Sequence, residues 1–402
     1  MKRLFILLTF FLTFIYLQAQ IQWRNDRTGV YNETGLMKSW PTNGPELLWH
    51  FDGLGRGYSS VSIDKDKMFV TGYSDGKGYL FILSLEGELL NKIEYGPEWD
   101  KDGYVGARST VMHDDGKLYV VSGLMELSCF DMQSLKLLWK KNYAKDYGAK
   151  NTAHGWNGPP LIVGEKLIIT PGGQKYHVVA LNKTTGELIW SAVGATKDDI
   201  AGYATPIYIN DQQTPQVVAM MGDHIIGVDI SNGKLLWSYY HTNRFREHPN
   251  TPEYHNGMVL GMSDYGKGAE MLRLTNGGRS VVKVWENTDI SHKTGNTMRI
   301  GDYIYASGER TNWYCVNWQT GKTIYSDQTL GVGTIISAEG MLYIYSEKGE
   351  MALVKPNPEK FELISKFNVT LGTDDHWAHP VIFKGILYIR HGNTLMAYKI
   401  SN

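Results

Sequence analysis

A four-residue phrase that returns along the sequence decides the fold of this chain. It reads ELLW at 46–49, KLLW at 136–139, ELIW at 187–190 and KLLW at 234–237, and a divergent form, VKVW, closes at Trp285. The last four of these tryptophans follow one another at intervals of 51, 47 and 48 residues. The interval between the first two tryptophans, Trp49 and Trp139, is 90 residues long and holds two units. GELLN at 87–91 marks the boundary between them. Fixed periods of roughly 40–50 residues indicate a repeat architecture.

Each unit predicts four short strands, called A to D. In the third unit they fall at 160–163, 167–170, 176–181 and 187–192, because apolar residues alternate there between Gly- and Asn-containing turns. The same frame gives further units at 57–96, 107–145, 202–244, 249–292, 295–330 and 333–371. The final stretch, 380–400, provides strands A to C only.

The missing fourth strand lies near the other end of the chain, at 46–51. A ring closed by mixing both termini leaves no open sheet edge. The sequence therefore predicts an all-β fold, an eight-bladed β-propeller with four-stranded blades over 46–402. About 44 residues per blade agrees with the usual ~40–45 for a four-stranded blade. We expect residues 21–45 to form a lead-in segment packed on the ring, and we assign the repeated Trp and Gly to packing and turns.

The first 20 residues have the pattern of a secretory signal. Lys2 and Arg3 precede an apolar run at 4–17, and Ala19 offers a small residue for cleavage. We expect a periplasmic or secreted protein that is not embedded in the membrane, with a retained membrane anchor as the alternative. A net charge of −1 argues against a nucleic-acid partner. Cys129 and Cys315 lie in distant repeats, so we expect no disulfide between them, and we expect a monomer.

Three segments carry a resemblance to a known family. VVALNKTTGELIW at 178–190 and IIGVDISNGKLLW at 225–237 resemble the pyrroloquinoline-quinone (PQQ) type of propeller repeat, and WRNDRTGVYNETGLMKSWP at 23–41 resembles the lead-in of bacterial extracytoplasmic quinoprotein-like propellers. The resemblance implies the propeller fold in a family of quinone-dependent dehydrogenases, envelope assembly scaffolds and uncharacterised secreted proteins. The chain lacks the adjacent cysteine pair of the dehydrogenases and the lipid-anchor cysteine of the scaffolds. We therefore expect no PQQ and leave a metal open.

The two faces of the predicted ring differ in chemistry. The A–B and C–D turns are short and polar, whereas the B–C loops and the D-to-A connections are rich in Arg, His and aromatic residues. Aligned on strand A, the connections place these residues at equivalent positions: Tyr58, Arg108, Trp156, Tyr203, His248 and Trp377. Because strand A lines the channel of a propeller, we expect them to converge at one mouth, with His154, His177, Arg310 and His376 beside them.

Such a mouth suits an acidic sugar, since Arg binds carboxylates bidentately and aromatic faces stack on sugar rings. The hypothesis is an elimination on uronate-containing oligosaccharides by a carbon–oxygen lyase, with an acid and a base moving the protons. The catalytic set would be Arg108 as carboxylate clamp, His154 and Tyr203 as the acid/base pair, and His248 as support. The substrate-binding set would be Tyr58, Trp156, His177, Arg310, His376 and Trp377.

Two other functions stay open at this point. One is a non-catalytic binding or scaffold propeller of the cell envelope, and the other is a quinone-dependent oxidoreductase. A deep pocket with convergent groups would favour an enzyme, and an exposed apolar or edge surface would favour a scaffold.

Overall fold

Eight radially arranged sheets build the molecule, which confirms the predicted eight-bladed β-propeller. The computed structural model describes residues 22–101, 104–150, 152–309 and 311–402. The predicted signal sequence lies outside the described residues. Each blade is a meander of antiparallel neighbours, and the innermost strand of each is the shortest or among the shortest.

The first four blades follow the chain order. Blade 1 contains β3 (Ser62–Asp64), β4 (Lys67–Ser74), β5 (Lys77–Ser84) and β6 (Leu89–Pro97). Blade 2 contains β7 (Met112–Asp114), β8 (Lys117–Val121), β9 (Glu126–Asp131) and β10 (Leu137–Asn142), followed by helix α1 (Tyr143–Tyr147). Blade 3 contains β11 (Leu161–Val163), β12 (Lys166–Ile169), β13 (Val178–Asn182) and β14 (Leu188–Ala192). Blade 4 contains β15 (Ile207–Ile209), β16 (Gln216–Met220), β17 (His224–Asp229) and β18 (Leu235–Tyr240).

The remaining blades complete the ring. Blade 5 contains β19 (Glu253–His255), β20 (Met258–Ser263), β21 (Gly268–Thr275) and β22 (Ser280–Asn287), with a 3-10 turn at Asn276–Gly278. Blade 6 contains β23 (Met298–Ile300), β24 (Tyr303–Ser307), β25 (Trp313–Asn317) and β26 (Thr323–Asp327). Blade 7 contains β27 (Gly333–Ala338), β28 (Met341–Ser346), β29 (Glu350–Lys355) and β30 (Glu362–Asn368). Blade 8 contains β31 (Val381–Phe383), β32 (Ile386–His391), β33 (Thr394–Lys399) and, from the N-terminal side, β2 (Glu46–Phe51).

Ring closure uses the N-terminal strand, as the sequence predicts. Strand β2 pairs antiparallel with β33, with Glu46 opposite Lys399 and Phe51 opposite Leu395. Both termini of the propeller are therefore held in one sheet, and the ring cannot open without breaking that strand pair.

The outer strand of every blade carries a β-bulge just before the repeat tryptophan or its equivalent. In blade 8 the pairing with β33 skips Leu48, and in blade 3 the pairing with β13 skips Ile189. Both skipped side chains are more than two-fifths exposed. A bulge twists an edge strand away from regular pairing. The outer strands, with their exposed apolar side chains, are therefore protected against edge-to-edge association.

The lead-in segment contacts the ring in two ways. Its strand β1 (Val30–Tyr31) pairs parallel with β27 on the side away from β28. Since β27 is the innermost strand of blade 7, β1 and the residues before it lie in the central channel. The later part packs on blade 7, where Trp40 contacts the rings of Tyr343 and Phe367.

Neighbouring blades are joined by a contact between a repeat tryptophan and the next blade's C–D turn. The Trp190 indole donates to Ile230 O at 3.0 Å and covers Gly233, where a Cβ atom would come within 2.7 Å of the ring. Gly233 has a φ of +76°, which side chains rarely adopt, so glycine serves both the turn and the contact. This placement confirms the packing role predicted for the repeated tryptophan.

Blades 4 and 5 are also joined by a buried polar network. His241 contacts Glu270 Oε2 through Nδ1 at 2.6 Å and Ser263 Oγ through Nε2 at 2.7 Å. His248 contacts the same Ser263 oxygen at 2.5 Å and Gly222 O at 2.8 Å. Burial lowers the pKa of His248 from 6.5 to about 3, so its imidazole is neutral in the folded protein.

Replacing Trp190 with Ala should lower the free energy of unfolding by about 3–5 kcal/mol, because a buried aromatic side chain is lost and the cavity cannot close. Urea denaturation followed by circular dichroism measures the change. Trp190→Phe, which keeps most of the ring contact, should lose clearly less. Equal losses in the two variants would contradict the proposed contact with Gly233.

Replacing His248 with Gln should flatten the pH dependence of stability on the acid side. Between pH 6.5 and about 3, the unfolded state binds a proton on His248 that the folded state does not, so stability falls as pH falls. Removing that group should reduce the slope of unfolding free energy against pH by up to about 1.4 kcal/mol per pH unit. Urea titrations at pH 4, 5 and 6 measure the unfolding free energy of the natural protein and of His248→Gln. Parallel plots of that free energy against pH would show that His248 is charged when folded and would contradict this prediction.

Candidate functional site

A cavity of about 220 Å³ lies on the propeller axis, at the end of the channel where the D-to-A connections meet. Seven of these connections contribute to its lining: those before blades 1 to 6 and before blade 8. The B–C loop of blade 5 adds Tyr265, and the lead-in segment adds Trp23. Loops from separate sheets therefore meet at one end of the axis, as predicted.

One wall of the cavity is aromatic. The Trp377 ring lies 5.1 Å from the Tyr58 ring and 5.3 Å from the Tyr104 ring, centroid to centroid. The exposed Lys293 places its ammonium 5.9 Å from the Trp377 ring. These faces come from the connections before blades 8, 1 and 2, which are neighbours around the ring.

Arg108 lies beside this wall, with its guanidinium carbon 5.8 Å from the Tyr58 ring. Its Nε donates to Gly106 O at 3.3 Å, and its two terminal nitrogens donate to the carbonyls of Tyr104 and His154. Burial lowers the pKa of Arg108. Among the described residues, Glu98 is the carboxylate whose charge acts on Arg108, but none lies within ion-pair distance of it. Three of its five N–H groups donate to these carbonyls, and the other two have no partner in the described part of the chain.

The opposite wall is polar and centred on Glu247. Its carboxylate accepts from the hydroxyl of Tyr265 at 3.1 Å and from that of Tyr203 at 3.4 Å, and His154 Nε2 lies 3.8 Å away. The Tyr203 hydroxyl also accepts from the His154 backbone N–H at 3.2 Å. Burial raises the pKa of Tyr203 to about 12, so its phenol is a neutral donor near neutral pH.

The floor is built from Trp23, Asn296 and His379. The His379 ring stands edge-on to the Trp23 ring at 5.6 Å, and its Nε2 lies 3.4 Å from the Asn296 amide nitrogen. Burial holds the pKa of His379 well below its usual value, so the ring is neutral. Asn296 has its oxygen engaged by the Thr251 backbone N–H at 2.8 Å.

Five of the predicted site residues line this cavity: Tyr58, Arg108, His154, Tyr203 and Trp377. Arg310 lies outside the described residues. His248 does not reach the cavity, because successive residues of an extended chain point to opposite sides and its neighbour Glu247 takes the inward position. His248 is instead fully buried in the network between blades 4 and 5.

Three other predicted binding residues are absent from the lining; Trp156 and His177 are buried, and His376 is half-buried. Trp156 donates to Gly158 O at 2.9 Å and stacks against Tyr203 with ring centroids 6.5 Å apart. His177 Nδ1 accepts from the Gly194 N–H at 2.5 Å. His376 lies 3.7 Å from the His391 ring and shares a 2.5 Å hydrogen bond with the Tyr345 hydroxyl. Their partners lie within the protein, so they support the loops and do not form the surface of the cavity.

Several lining residues were not predicted. Glu247 is adjacent to His248, and the alternation of an extended segment could have identified it. Tyr104 and Lys293 lie within D-to-A connections, but not at the position just before strand A on which the predicted residues were aligned. Trp23 comes from a segment without repeat periodicity, and no sequence signal places it on the axis.

The cavity does not fit a quinone held by a metal ion. In the described part of the chain, no group of three His, Cys, Asp or Glu side chains could hold a metal ion. Glu247 is the one carboxylate among the described lining residues, and its oxygens are engaged by Tyr203 and Tyr265. Cys129 and Cys315 are free, buried in separate strands and absent from the lining.

The comparisons with solved structures show the fold. BamB from Moraxella catarrhalis matches with a TM-score of 0.63 and 14% identity, covering 88% of this chain and 99% of BamB. Quinohemoprotein alcohol dehydrogenase from Comamonas testosteroni matches with a TM-score of 0.66 and 13% identity, covering 95% of this chain and 80% of the dehydrogenase. No helix among the described residues is long and apolar enough to span a membrane.

Curated relatives match over shorter stretches. Quinoprotein ethanol dehydrogenase from Pseudomonas aeruginosa is 30% identical over 144 residues, which are 33% of this chain and 22% of the enzyme. The Pseudomonas putida enzyme of the same name is 28% identical over 120 residues, covering 29% and 19%. The match spans about a fifth of the length of these relatives.

These relatives are alcohol dehydrogenases and an assembly factor, so the prediction of a carbohydrate lyase acting by elimination is wrong. Arg, His and Tyr side chains that converge on a cavity do not by themselves specify a reaction. The catalytic roles assigned to Arg108, His154, Tyr203 and His248 fall with that prediction.

A family model covers most of the propeller. The model described as outer membrane protein assembly factor BamB matches residues 46–327 and 205–358, well over half of the sequence. This chain therefore belongs to that family of PQQ-type repeat propellers.

Proposed function

We propose that this protein is a non-catalytic, extracytoplasmic binding propeller whose axial cavity holds a small anionic ligand with a ring. The observation that carries the proposal is Arg108, a half-buried cation in the cavity lining that has no carboxylate within ion-pair distance among the described residues. Its charge is offset only at longer range, by the buried Glu98 carboxylate, and an anion entering the cavity would give it a direct partner.

The rest of the lining supports this ligand class. Lys293 adds a second cation at the mouth, and the Tyr58, Tyr104 and Trp377 rings offer faces for a planar group. Three buried polar atoms of lining residues find no partner among the described residues: the Tyr58 hydroxyl, His154 Nδ1 and Asn157 Oδ1. Buried polar atoms are normally paired, so these atoms favour a ligand that also has hydrogen-bonding groups.

Binding without turnover is favoured over quinone-dependent oxidation. The described lining residues do not provide the ligands for a metal-held quinone, and the dehydrogenase similarity covers about a fifth of those enzymes. The structural match to BamB covers nearly all of that protein. A location outside the cytoplasm is supported by the signal-like sequence at 1–20 and by the outer-membrane role in the family description.

Calorimetry at low ionic strength with benzoate and isophthalate as probes should detect binding, and the neutral benzamide should bind more weakly. Arg108→Gln should weaken anion binding by roughly tenfold or more, the usual effect of losing a charge-assisted hydrogen bond. Arg273→Gln, which removes an exposed arginine of β21 outside the cavity lining, should leave affinity unchanged. No binding of either anion to the natural protein, or equal affinities in both variants, would refute the proposal.

A dye-reduction assay separates binding from oxidation. The protein incubated with PQQ, Ca²⁺ and ethanol should reduce an artificial electron acceptor no faster than a protein-free mixture. Alcohol-dependent reduction that is lost in Glu247→Gln would show instead that the cavity is the active site of an oxidoreductase.

A further inference from the structure

The segment 22–31 runs along the propeller axis directly behind the ligand cavity. Trp23 forms part of the cavity floor, and seven residues later β1 pairs with the innermost strand of blade 7. Between them, the chain makes a tight turn in which four consecutive residues have φ between 40° and 72°: Arg24, Asn25, Asp26 and Arg27. The left-handed region is unfavourable for the two arginines, so the surrounding contacts must hold the turn in place.

Two arginines provide those contacts. Arg24 is 2% exposed and donates to Ile335 O at 2.8 Å and Thr297 O at 3.1 Å, with its other contact to His379 Nδ1 at 3.2 Å. These partners belong to blade 7 and to the connections before blades 6 and 8. One side chain thus ties three neighbouring parts of the ring to the axis.

Arg27 reaches the other side of the ring. Its Nε donates to Thr205 Oγ1 at 3.2 Å, and a terminal nitrogen donates to Pro160 O at 2.7 Å. Thr205 and His379 both line the cavity, so each arginine is bonded to a lining residue from behind. The two guanidinium groups therefore lie behind the lining, each in contact with a side chain that borders the ligand space.

The charge of these arginines is only partly offset. Burial lowers the pKa of Arg24 and of Arg27 to about 10, and both stay charged at neutral pH. Glu253 and Asp26 are the carboxylates that act on them, and burial raises the pKa of both. Among the described residues, neither arginine has a carboxylate oxygen within ion-pair distance.

We infer that the lead-in segment is part of the ligand site: it closes the channel behind the cavity, supplies Trp23 as floor, and sets Arg24 and Arg27 as fixed positive charges that select an anionic ligand. This inference rests on the proposed binding function. It makes the lead-in segment a determinant of specificity, distinct from a simple plug that adds only stability.

The test compares anion affinity with neutral-ligand affinity in arginine variants of the full mature chain. Arg27→Gln should weaken isophthalate binding by roughly fivefold, because one charge near the ligand is removed, while benzamide binding changes little. Arg27→Lys, which keeps the charge, should restore most of the isophthalate affinity. A purely structural role predicts that both ligands weaken together, or that only the melting temperature falls, and either result would overturn the inference.

A second measurement does not depend on the folding of an arginine variant. Iodide should quench a fraction of the tryptophan fluorescence that caesium does not quench, and Trp23→Phe should remove part of that fraction. Equal quenching by both ions, or no change in Trp23→Phe, would show that the floor does not attract anions. If the natural protein binds neither benzoate nor isophthalate, the proposed function fails first, and the iodide experiment still decides the charge of the floor.

Discussion

The contact between a repeat tryptophan and the turn glycine of the following blade is the interaction on which the ring depends. It recurs at four blade boundaries, where a Cβ on the glycine would come within 2.7 Å of the indole: Trp49 with Gly87, Trp139 with Gly186, Trp190 with Gly233 and Trp285 with Gly321. At the boundary of blades 4 and 5, Gln216 of blade 4 links the two partners: it accepts from Trp237 Nε1 at 2.6 Å and donates to Gly278 O, in the C–D turn of blade 5, at 2.8 Å. Because Trp49 belongs to the N-terminal strand of blade 8, the same contact also secures the closure of the ring.

A rigid ring fixes where the connections before strand A can lie, and the cavity follows from that constraint. Seven connections reach one end of the axis, and each contributes side chains that its own blade holds in place. The lead-in segment then blocks the channel behind them. The result is a blind cavity whose wall and floor place Arg108, Arg27 and Arg24 around a space with one carboxylate, Glu247, in its described lining.

The fold could be predicted from the sequence because its repeat is strict. The strands predicted for the third blade agree with β11 to β14 to within two residues at each end, and the closing strand at 46–51 agrees with β2. The end of the axis at which the site lies could also be predicted, since strand order alone sorts the loops between two faces. Side-chain direction could not: Glu247 and His248 are neighbours, and one residue of register decides which enters the cavity.

The chemistry of the site was the least predictable part. Arg108, His154 and Tyr203 converge as expected, but the same residue types suit many ligands, and the relatives exclude the predicted elimination reaction. The course of the lead-in segment was beyond sequence reasoning as well, because its turn of four left-handed residues is stabilised by partners more than a hundred residues away along the chain.

The central claim, that the axial cavity is an anion site, is tested most directly by anomalous diffraction from crystals soaked in bromide. The account predicts a strong bromide peak inside the cavity, between Arg108, Lys293 and Trp23. Bromide bound only on the outer surface of the propeller, with the cavity free of anomalous density, would contradict it.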